Sequence, residues 1–138
     1  MQPVHGRFRS HHGLAVASAL TQASALTQAI SSEIAALYAL VYGHDRTTAT
    51  TYINDNVVVC ILEDILSTAE DSLVAAGEGV EVIDARVAFQ RDAEDEFTVE
   101  VERLTHRRVT AFLSGNQSSP GVACELFFLE APPSPDRV

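Results

Sequence analysis

The sequence predicts an α+β domain in the order α-ββ-α-α-ββ, with two hairpins in one antiparallel sheet and helices packed on one face. Three observations predict it: two pairs of strand-like apolar runs, helical periodicity before each pair, and a Ser-x-x-Glu capping box between the pairs. With 138 residues, 46% of them apolar, the chain can bury a core without disulfide or metal. We therefore expect one domain over residues 13–131, between a disordered leader, 1–12, and a disordered tail, 132–138.

The first long helix is predicted from Leu14 to Tyr42, and Gly43 suits its C-terminal cap. Within it, the hexamer at 19–24 is nearly repeated at 25–30, which we interpret as a local lengthening of the helix. We expect its N-terminal half to project from the domain. The remainder carries one apolar stripe at helical spacing, formed by Leu26, Ile30, Ile34, Leu37 and Val41.

The first hairpin and the second helix follow directly. A β-branched strand, 47–53, meets Asn54-Asp55-Asn56, residues that tolerate a left-handed backbone, and the segment 57–62 returns as a strand. That returning strand is apolar on both faces, so a helix or a partner must cover at least one of them. The capping box Ser67 to Glu70 then begins a helix that we expect to end near Ala76.

The last part of the chain is predicted to be one more helix and one more hairpin. The helix runs from about Val80 to Leu104. A strand at 109–114, a hairpin loop at 115–121 and a strand at 122–130 complete the sheet.

Charge and composition exclude several functions. The net charge of −10 argues against binding to nucleic acid or to an anionic membrane surface, both of which reward clustered cations. All nine basic residues are Arg, so a P-loop lysine, a Schiff base and a lysine general base are excluded. No apolar run approaches the ~20 residues that span a bilayer, and we expect no direct membrane insertion. A signal peptide after Arg7 and Arg9 is the alternative, but Thr21-Gln22 interrupts its apolar segment.

No catalytic, metal or cofactor site is predicted. Cys60 and Cys124 lie in strand-like runs and are expected to be buried free thiols, which favours a reducing, cytoplasmic location. A Cys60 nucleophile is conceivable only if it met His44 or His106, and apolar surroundings would raise its pKa. The serines and glycines match neither a nucleophile elbow nor a dinucleotide-binding loop.

Arg86 is the most informative charged residue, because it lies inside the apolar stripe of the third predicted helix. The simplest interpretation is a guanidinium paired with a carboxylate such as Glu63 or Asp64. The alternative is an anchor that receives a carboxylate or bicarbonate together with Arg107 or Arg108. These five residues are our candidates for ligand or partner contact. The six acidic residues between 92 and 102 are typical of a solvated helix face.

From residue 29 to 131 the chain resembles the MpsC-like family of small bacterial proteins, named after the C component of a sodium-translocating, membrane-potential-generating system. Segments that match in order and spacing carry the resemblance: Thr51-Tyr52, Asn56 to Leu66, STAEDSL from Ser67, RVAFQ from Arg86, VERLT from Val101 and RRVTAFLS from Arg107. Two positions depart from the family pattern: Gly43-His44-Asp45-Arg46 replaces a Gly-x-Gly-Pro turn, and His106 replaces a glycine.

The resemblance implies no catalytic residue and no cofactor. It implies a cytoplasmic accessory or regulatory role in ion-linked or bicarbonate-linked energetics, with a membrane transport complex as a possible protein partner. The apolar runs at 57–62 and 126–129 lead us to expect a homodimer as well. A small anion- or carboxylate-sensing domain using Arg86 is the alternative function.

Overall fold

The computed structural model describes residues 8–132 and confirms the predicted α+β architecture. The predicted leader and tail fall partly at 1–7 and 133–138, which lie outside the described residues. Three helices and four strands follow in this order: α1 (Phe8–Tyr42), β1 (Thr48–Asn54), β2 (Val57–Glu63), α2 (Thr68–Ala75), α3 (Gly79–Thr105), β3 (Val109–Ser118) and β4 (Gly121–Leu129).

The four strands form one antiparallel sheet in the order β1-β2-β4-β3, so the two hairpins join through β2 and β4. The β1–β2 turn is tight because Asn54 pairs with Val57, and Asp55 takes the predicted left-handed conformation with φ 56°. The register aligns Tyr52, Val59, Leu126 and Leu113 in one row across the sheet. Side chains in such a row lie on the same face.

One face of the sheet is covered by α1 and α3, and the core lies between these layers. Alternate strand residues such as Val58, Leu62 and Phe127 point into it and are completely buried. The predicted stripe of α1 packs against them, with Ile30 and Ile34 fully buried. The described residues at 17–25 of the same helix are all exposed apart from Ala19, whose side chain is not described, as expected for a projecting N-terminal half.

Two boundaries differ from the predictions. Helix α1 begins at Phe8 rather than Leu14, so the predicted leader is helical from that residue onward. The predicted loop 115–121 is wrong, because β3 continues to Ser118 and only Ser119-Pro120 forms the turn. Pairing of Gly115 with Cys124 and of Asn116 with Ala123 extends the strand despite the weak strand propensity of Gly and Asn.

The expectation that the chain does not insert directly into a membrane stays a prediction, but the composition argument behind it overlooked one segment. The segment Leu20–Tyr42, 23 residues long, is long and apolar enough to span a membrane by length and composition. Counting uninterrupted apolar residues missed it, because Ser, Thr and Gln break the run without adding charge. Its C-terminal half nevertheless contributes Ile30, Ile34 and Tyr38 to the protein core, as the core helix of a globular domain does.

The turn that departs from the family pattern anchors the loop between β2 and α2. The His44 ring hydrogen-bonds through Nε2 to the carbonyl of Ile65 at 2.9 Å, and Arg46 donates to the carbonyl of Leu66. Thr47 donates to the carbonyl of Asp64 at 3.1 Å. Three successive carbonyl groups of this loop are therefore satisfied by side chains that follow Gly43.

The ends of the two shorter predicted helices also agree with their capping chemistry. Ser67 accepts a hydrogen bond from the backbone N–H of Glu70, and the Glu70 side chain accepts from the backbone N–H of Ser67, so the capping box is complete. His106 ends α3 in the left-handed conformation, with φ 55°. This is the conformation that the family's glycine would adopt without a steric cost.

Candidate functional site

A polar cluster lies inside the otherwise apolar core, between α1, α3 and β4. The Glu125 side chain is completely buried and accepts hydrogen bonds at Oε1 from the Tyr38 hydroxyl and, at 3.2 Å, from Gln90 Nε2. Gln90 Nε2 is also 2.9 Å from the Tyr38 oxygen. On the side of β3, Gln90 Oε1 accepts from Asn116 at 2.5 Å and from Ser114 at 3.0 Å.

Local sequence patterns place the side chains of Glu125, Gln90 and Tyr38 in the core. Glu125 alternates with Ala123 and Phe127 along β4, so it shares their inward face. Gln90 follows Arg86 by four residues on the buried stripe of α3, and Tyr38 follows Ile34 by four on α1.

Burial changes the acid–base properties of the cluster. Loss of solvent raises the pKa of Glu125 to about 7, although the hydrogen bond from Tyr38 acts in the opposite direction. Burial and the nearby Glu125 carboxylate together raise the pKa of Tyr38. Glu125 Oε2 has no hydrogen-bond partner among the residues that the structure describes. The cluster therefore contains a carboxyl group that takes up and releases a proton near neutral pH.

The cluster reaches the surface at a cleft between α3 and β3. Its volume is about 330 Å³, and Gln90 and Ser114 contribute to its wall together with Val87, Arg91, Glu94, Phe112 and Leu113. A ligand in this cleft would meet apolar side chains and the outer hydrogen bonds of the cluster. Gln90, however, already uses both its amide groups within the protein.

Arg86 lies one turn before Gln90 and is only 1% exposed. Its guanidinium binds both carboxylate oxygens of Glu70, at 2.9 Å through Nε and 2.8 Å through Nη2, and donates to the carbonyl of Ile65. Its Cζ atom lies 3.9 Å from the centre of the Tyr42 ring. Arg86 Nη1 and the Tyr42 hydroxyl have no partner among the described residues.

The predicted partners of Arg86 are therefore wrong: the carboxylate is Glu70, whereas Glu63 and Asp64 are exposed. The capping box explains the choice, because it already holds the Glu70 side chain over the N-terminus of α2. Burial alone would raise the pKa of Glu70, but hydrogen bonds from Arg86 and from the backbone of Ser67 outweigh it and lower that pKa.

Arg107 lies at the other end of β2 from Arg86. It binds the carbonyls of Asp55 and Glu130 at 3.1 and 2.7 Å and the side chain of Asn56, so it fastens the β1–β2 turn to the end of β4. Arg108 is exposed. The structure therefore does not bring Arg86 together with Arg107 or Arg108.

The two thiols lie on opposite faces of the sheet. Cys60 is completely buried, and burial raises its pKa to about 11, which leaves it unreactive near neutral pH. Cys124 is half-buried on the other face, and its pKa is also raised, first by burial and then by Glu125. No group of three or more His, Cys, Asp or Glu within residues 8–132 has the arrangement of a metal site.

The second face of the sheet is uncovered and apolar. Its apolar residues are Tyr52, Val59, Ile61, Leu113, Leu126 and Phe128, together with Cys124, and they concentrate on the central strands. The edge strands β1 and β3 also place uncharged polar residues on this face, namely Thr48, Thr50, Asn54 and Gln117. Leu113 and Tyr52 are each 60% exposed. All strand residues are described, and the one charged residue on this face is Glu63 at its border.

Sequence reasoning missed the polar cluster completely. Two signals were available: Glu125 interrupts the inward-facing positions of an apolar strand, and Gln90 lies on the same helical stripe as Arg86. Asn116 could not be found, because residues 115–121 were predicted to be a loop, and Ser114 was the last residue of the predicted strand.

The fold and these sites define a small α+β domain with a half-covered sheet, a polar cluster in its core and an apolar surface. Comparison with protein families identifies its class: a family model described as the Na⁺-translocating membrane potential-generating system (MpsC) matches residues 22–131. The chain therefore belongs to the MpsC family, as its resemblance predicted. No similar curated protein and no similar solved structure was found.

Proposed function

We propose that this protein is a homodimeric accessory subunit of the cytoplasm, without catalysis of its own, that acts by binding a protein partner. The partner would belong to a membrane transport complex, in keeping with the ion-linked system after which the family is named. The observation that carries the proposal is the uncovered apolar face of the sheet, because monomeric proteins rarely leave a patch of this size in water.

The size of this face suits a dimer. Four strands about 4.8 Å apart and about seven residues long cover roughly 450 Å² of flat sheet. This flat area is already more than half of the ~800 Å² per partner of a stable interface, and side chains standing on it expose more surface than the flat figure. Two such faces would pack about 10 Å apart as a sandwich, the usual arrangement for apolar sheets.

Charge favours a second copy of the chain as the occupant of this face. The protein carries a net charge of −10, so two copies repel one another wherever their charged surfaces meet. The face lacks charge except at Glu63, so it is the surface on which two copies can meet with little repulsion. A twofold axis through the row Tyr52, Val59, Leu126 and Leu113 would pair this row with itself.

The test is sedimentation equilibrium of three proteins from about 1 to 100 µM, a range that spans typical interface affinities. We expect the wild type to dimerise and Leu113→Glu to be monomeric, because the variant would bury two carboxylates in the interface. Leu40→Glu is the matched control, since Leu40 is equally apolar, more exposed and located on α1. It should dimerise like the wild type.

A wild type that stays monomeric throughout this range would refute the dimer. Equal dissociation of Leu113→Glu and Leu40→Glu would also refute it, because the added charge alone, rather than its position on the uncovered face, would then explain the loss of the dimer. Circular dichroism should show that Leu113→Glu stays folded, since its side chain is exposed in the monomer.

The second candidate function, sensing of a small anion such as bicarbonate, is favoured by one observation: Arg86 Nη1 is buried without a partner in the described part of the chain. An anion binding there would raise the thermal stability of the folded state. The test is a thermal-shift series with bicarbonate and acetate against chloride at constant ionic strength. The proposal requires a stabilisation by bicarbonate or acetate that is lost in Arg86→Gln.

A further inference from the structure

The outer surface of α1 carries almost no charge and exposes a large apolar side chain. Between Leu20 and Tyr42 the helix contains one charged residue, Glu33. Its buried side points to the sheet through Ile30, Ile34 and Tyr38, but Leu40 on the opposite side is 78% exposed. Apart from Leu20 at its start, the other exposed residues of this segment are Ala or uncharged polar residues, so Leu40 is a large apolar side chain on a surface with almost no charge.

The neighbouring surface of α3 continues this apolar region and borders it with carboxylates. Val99 is 57% exposed and lies with Leu37 of α1 in a groove of about 310 Å³. The other lining residues of the groove are acidic: Asp95, Glu96 and Glu100. Leu40 does not line this groove but follows Leu37 by three residues on α1, so it lies on the adjoining surface. We call the groove together with Leu40 the helical groove.

One cation lies at an end of this groove. Arg103 binds Glu100 at 2.6 Å and approaches Glu33 at 3.7 Å, so it links α3 to α1 there. Asp95 and Glu96 form no ion pair with any side chain that the structure describes in residues 20–132. The groove therefore combines an apolar floor with uncompensated negative charge.

Charge complementarity decides what fits this groove. A second copy of the chain would bring its own acidic border against the first, and an anionic bilayer would meet the same repulsion. A helix with an apolar stripe and Lys or Arg beside it satisfies both features at once, as amphipathic helices do in other grooves. Its leucine-type side chains would meet Leu37, Leu40 and Val99, while its cations would meet Asp95 and Glu96.

We propose that the helical groove binds a basic amphipathic helix of the partner protein. This inference deepens the proposed function, on which it rests, by naming the chemistry of the partner segment. The groove lies on the helical layer, opposite the uncovered face of the sheet, so one dimer could hold two such helices.

The probe is a fluorescein-labelled peptide of 18 residues, made of Leu and Lys with leucines at helical spacing i, i+3, i+4 and i+7. A peptide of the same composition in scrambled order is its control. Fluorescence anisotropy with the full chain should show saturable binding of the first and at least about tenfold weaker binding of the second, which cannot align its leucines.

Matched variants locate the binding site. Asp95→Asn with Glu96→Gln should weaken binding about fivefold or more, and Leu40→Gln about tenfold, through lost ion pairs and lost apolar contact. Glu78→Gln with Glu81→Gln alters the net charge equally at exposed positions at the start of α3, and should change binding less than about twofold. Leu113→Gln, on the uncovered face of the sheet, should bind like the wild type.

If the two double charge variants weakened peptide binding equally, the binding would be explained by nonspecific electrostatic attraction, and the proposal would be overturned. Binding to vesicles of phosphatidylcholine and phosphatidylglycerol without binding to the peptide would overturn it in favour of a membrane surface. Sedimentation separates this failure from that of the dimer: a wild type that dimerises but ignores the peptide refutes the groove alone. A monomeric wild type that binds the peptide refutes the dimer alone.

Discussion

The two faces of the sheet reverse the usual distribution of polar and apolar groups. The face covered by helices carries the Glu125 carboxylate, and the helices that cover it add a tyrosine from α1 and a glutamine and a guanidinium from α3. The uncovered face is apolar apart from its border. In a protein that functioned as an isolated monomer, we would expect the more polar face to be in water.

This reversal indicates that the covered face of the sheet stabilises the fold, whereas the uncovered face serves the proposed association. The buried polar groups are costly unless paired, and the covered face pairs nearly all of them through specific geometry, which fixes one arrangement of α1, α3 and β4. The uncovered face needs no specific partner atom, because apolar contact is proportional to area. Stability should therefore respond to substitutions on the covered face, and association to substitutions on the uncovered face.

Phe127 and Phe128 test this division most directly, since they are adjacent in β4 and point to opposite faces. Phe127 is completely buried, 5.0 Å from the Phe112 ring centre, whereas Phe128 is 37% exposed. We expect Phe127→Ala to lower the free energy of unfolding by about 3–5 kcal/mol through the cavity it leaves. Urea unfolding at several protein concentrations measures this loss.

Phe128→Ala should show the converse pattern. Its loss of stability should be smaller in the monomer, and its dimer dissociation constant should rise by about tenfold or more, since it removes an apolar side chain from the proposed interface. Equal destabilisation by both variants, with unchanged dimerisation, would show that the two faces do not differ in role.

Glu125 gives the second prediction, a dependence of stability on pH. Its pKa rises from 4.5 to about 7 in the folded protein, so between these values the folded state binds more protons than the unfolded state. Stability should therefore fall as the pH rises from 4.5 to 7, by roughly 3 kcal/mol in total. Urea unfolding across this range measures the slope.

Glu125→Gln is the matched control, because it keeps the shape of the side chain and removes the titration. The falling slope should disappear in this variant, which should be more stable relative to the wild type at pH 8 than at pH 4.5. Glu70 does not obscure the result: its pKa is lowered, so its contribution is lost only on acidification below the ordinary range of a carboxylate. A slope that persists unchanged in Glu125→Gln would assign it to another group.

The fold was largely predictable because short-range signals agree with one another. Period 3.6 located α1 and α3, the capping box located α2, and Asn54 to Asn56 located the first turn. The second turn was misplaced because Gly115 and Asn116 favour loops locally. Pairing with β4 overrides that preference, and a single sequence does not display this long-range effect.

The candidate site was less predictable because it depends on distances between elements. Arg86 was correctly predicted to pair with a carboxylate, but its partner followed from the position of α2, which brings Glu70 closer than Glu63 or Asp64. The cluster of Tyr38, Gln90 and Glu125 joins residues up to 87 positions apart. Periodicity identifies the inward face of each element separately, but not which inward polar groups meet.

The two thiols give the smallest and most local test of the two faces. Cys60 points into the core and Cys124 onto the uncovered face, although their strands are neighbours. A thiol reagent should modify Cys124 in the native protein and leave Cys60 unmodified until unfolding, because burial excludes the reagent and suppresses the Cys60 thiolate. Cys124→Ser should abolish native labelling, and Cys60→Ser should retain it.

If the proposed dimer covers this face, labelling of Cys124 should also slow as protein concentration rises, and in Leu113→Glu it should stay fast at every concentration. Rapid labelling of Cys60 in the native protein would instead mean that the core opens readily, and it would support a reactive thiol at Cys60.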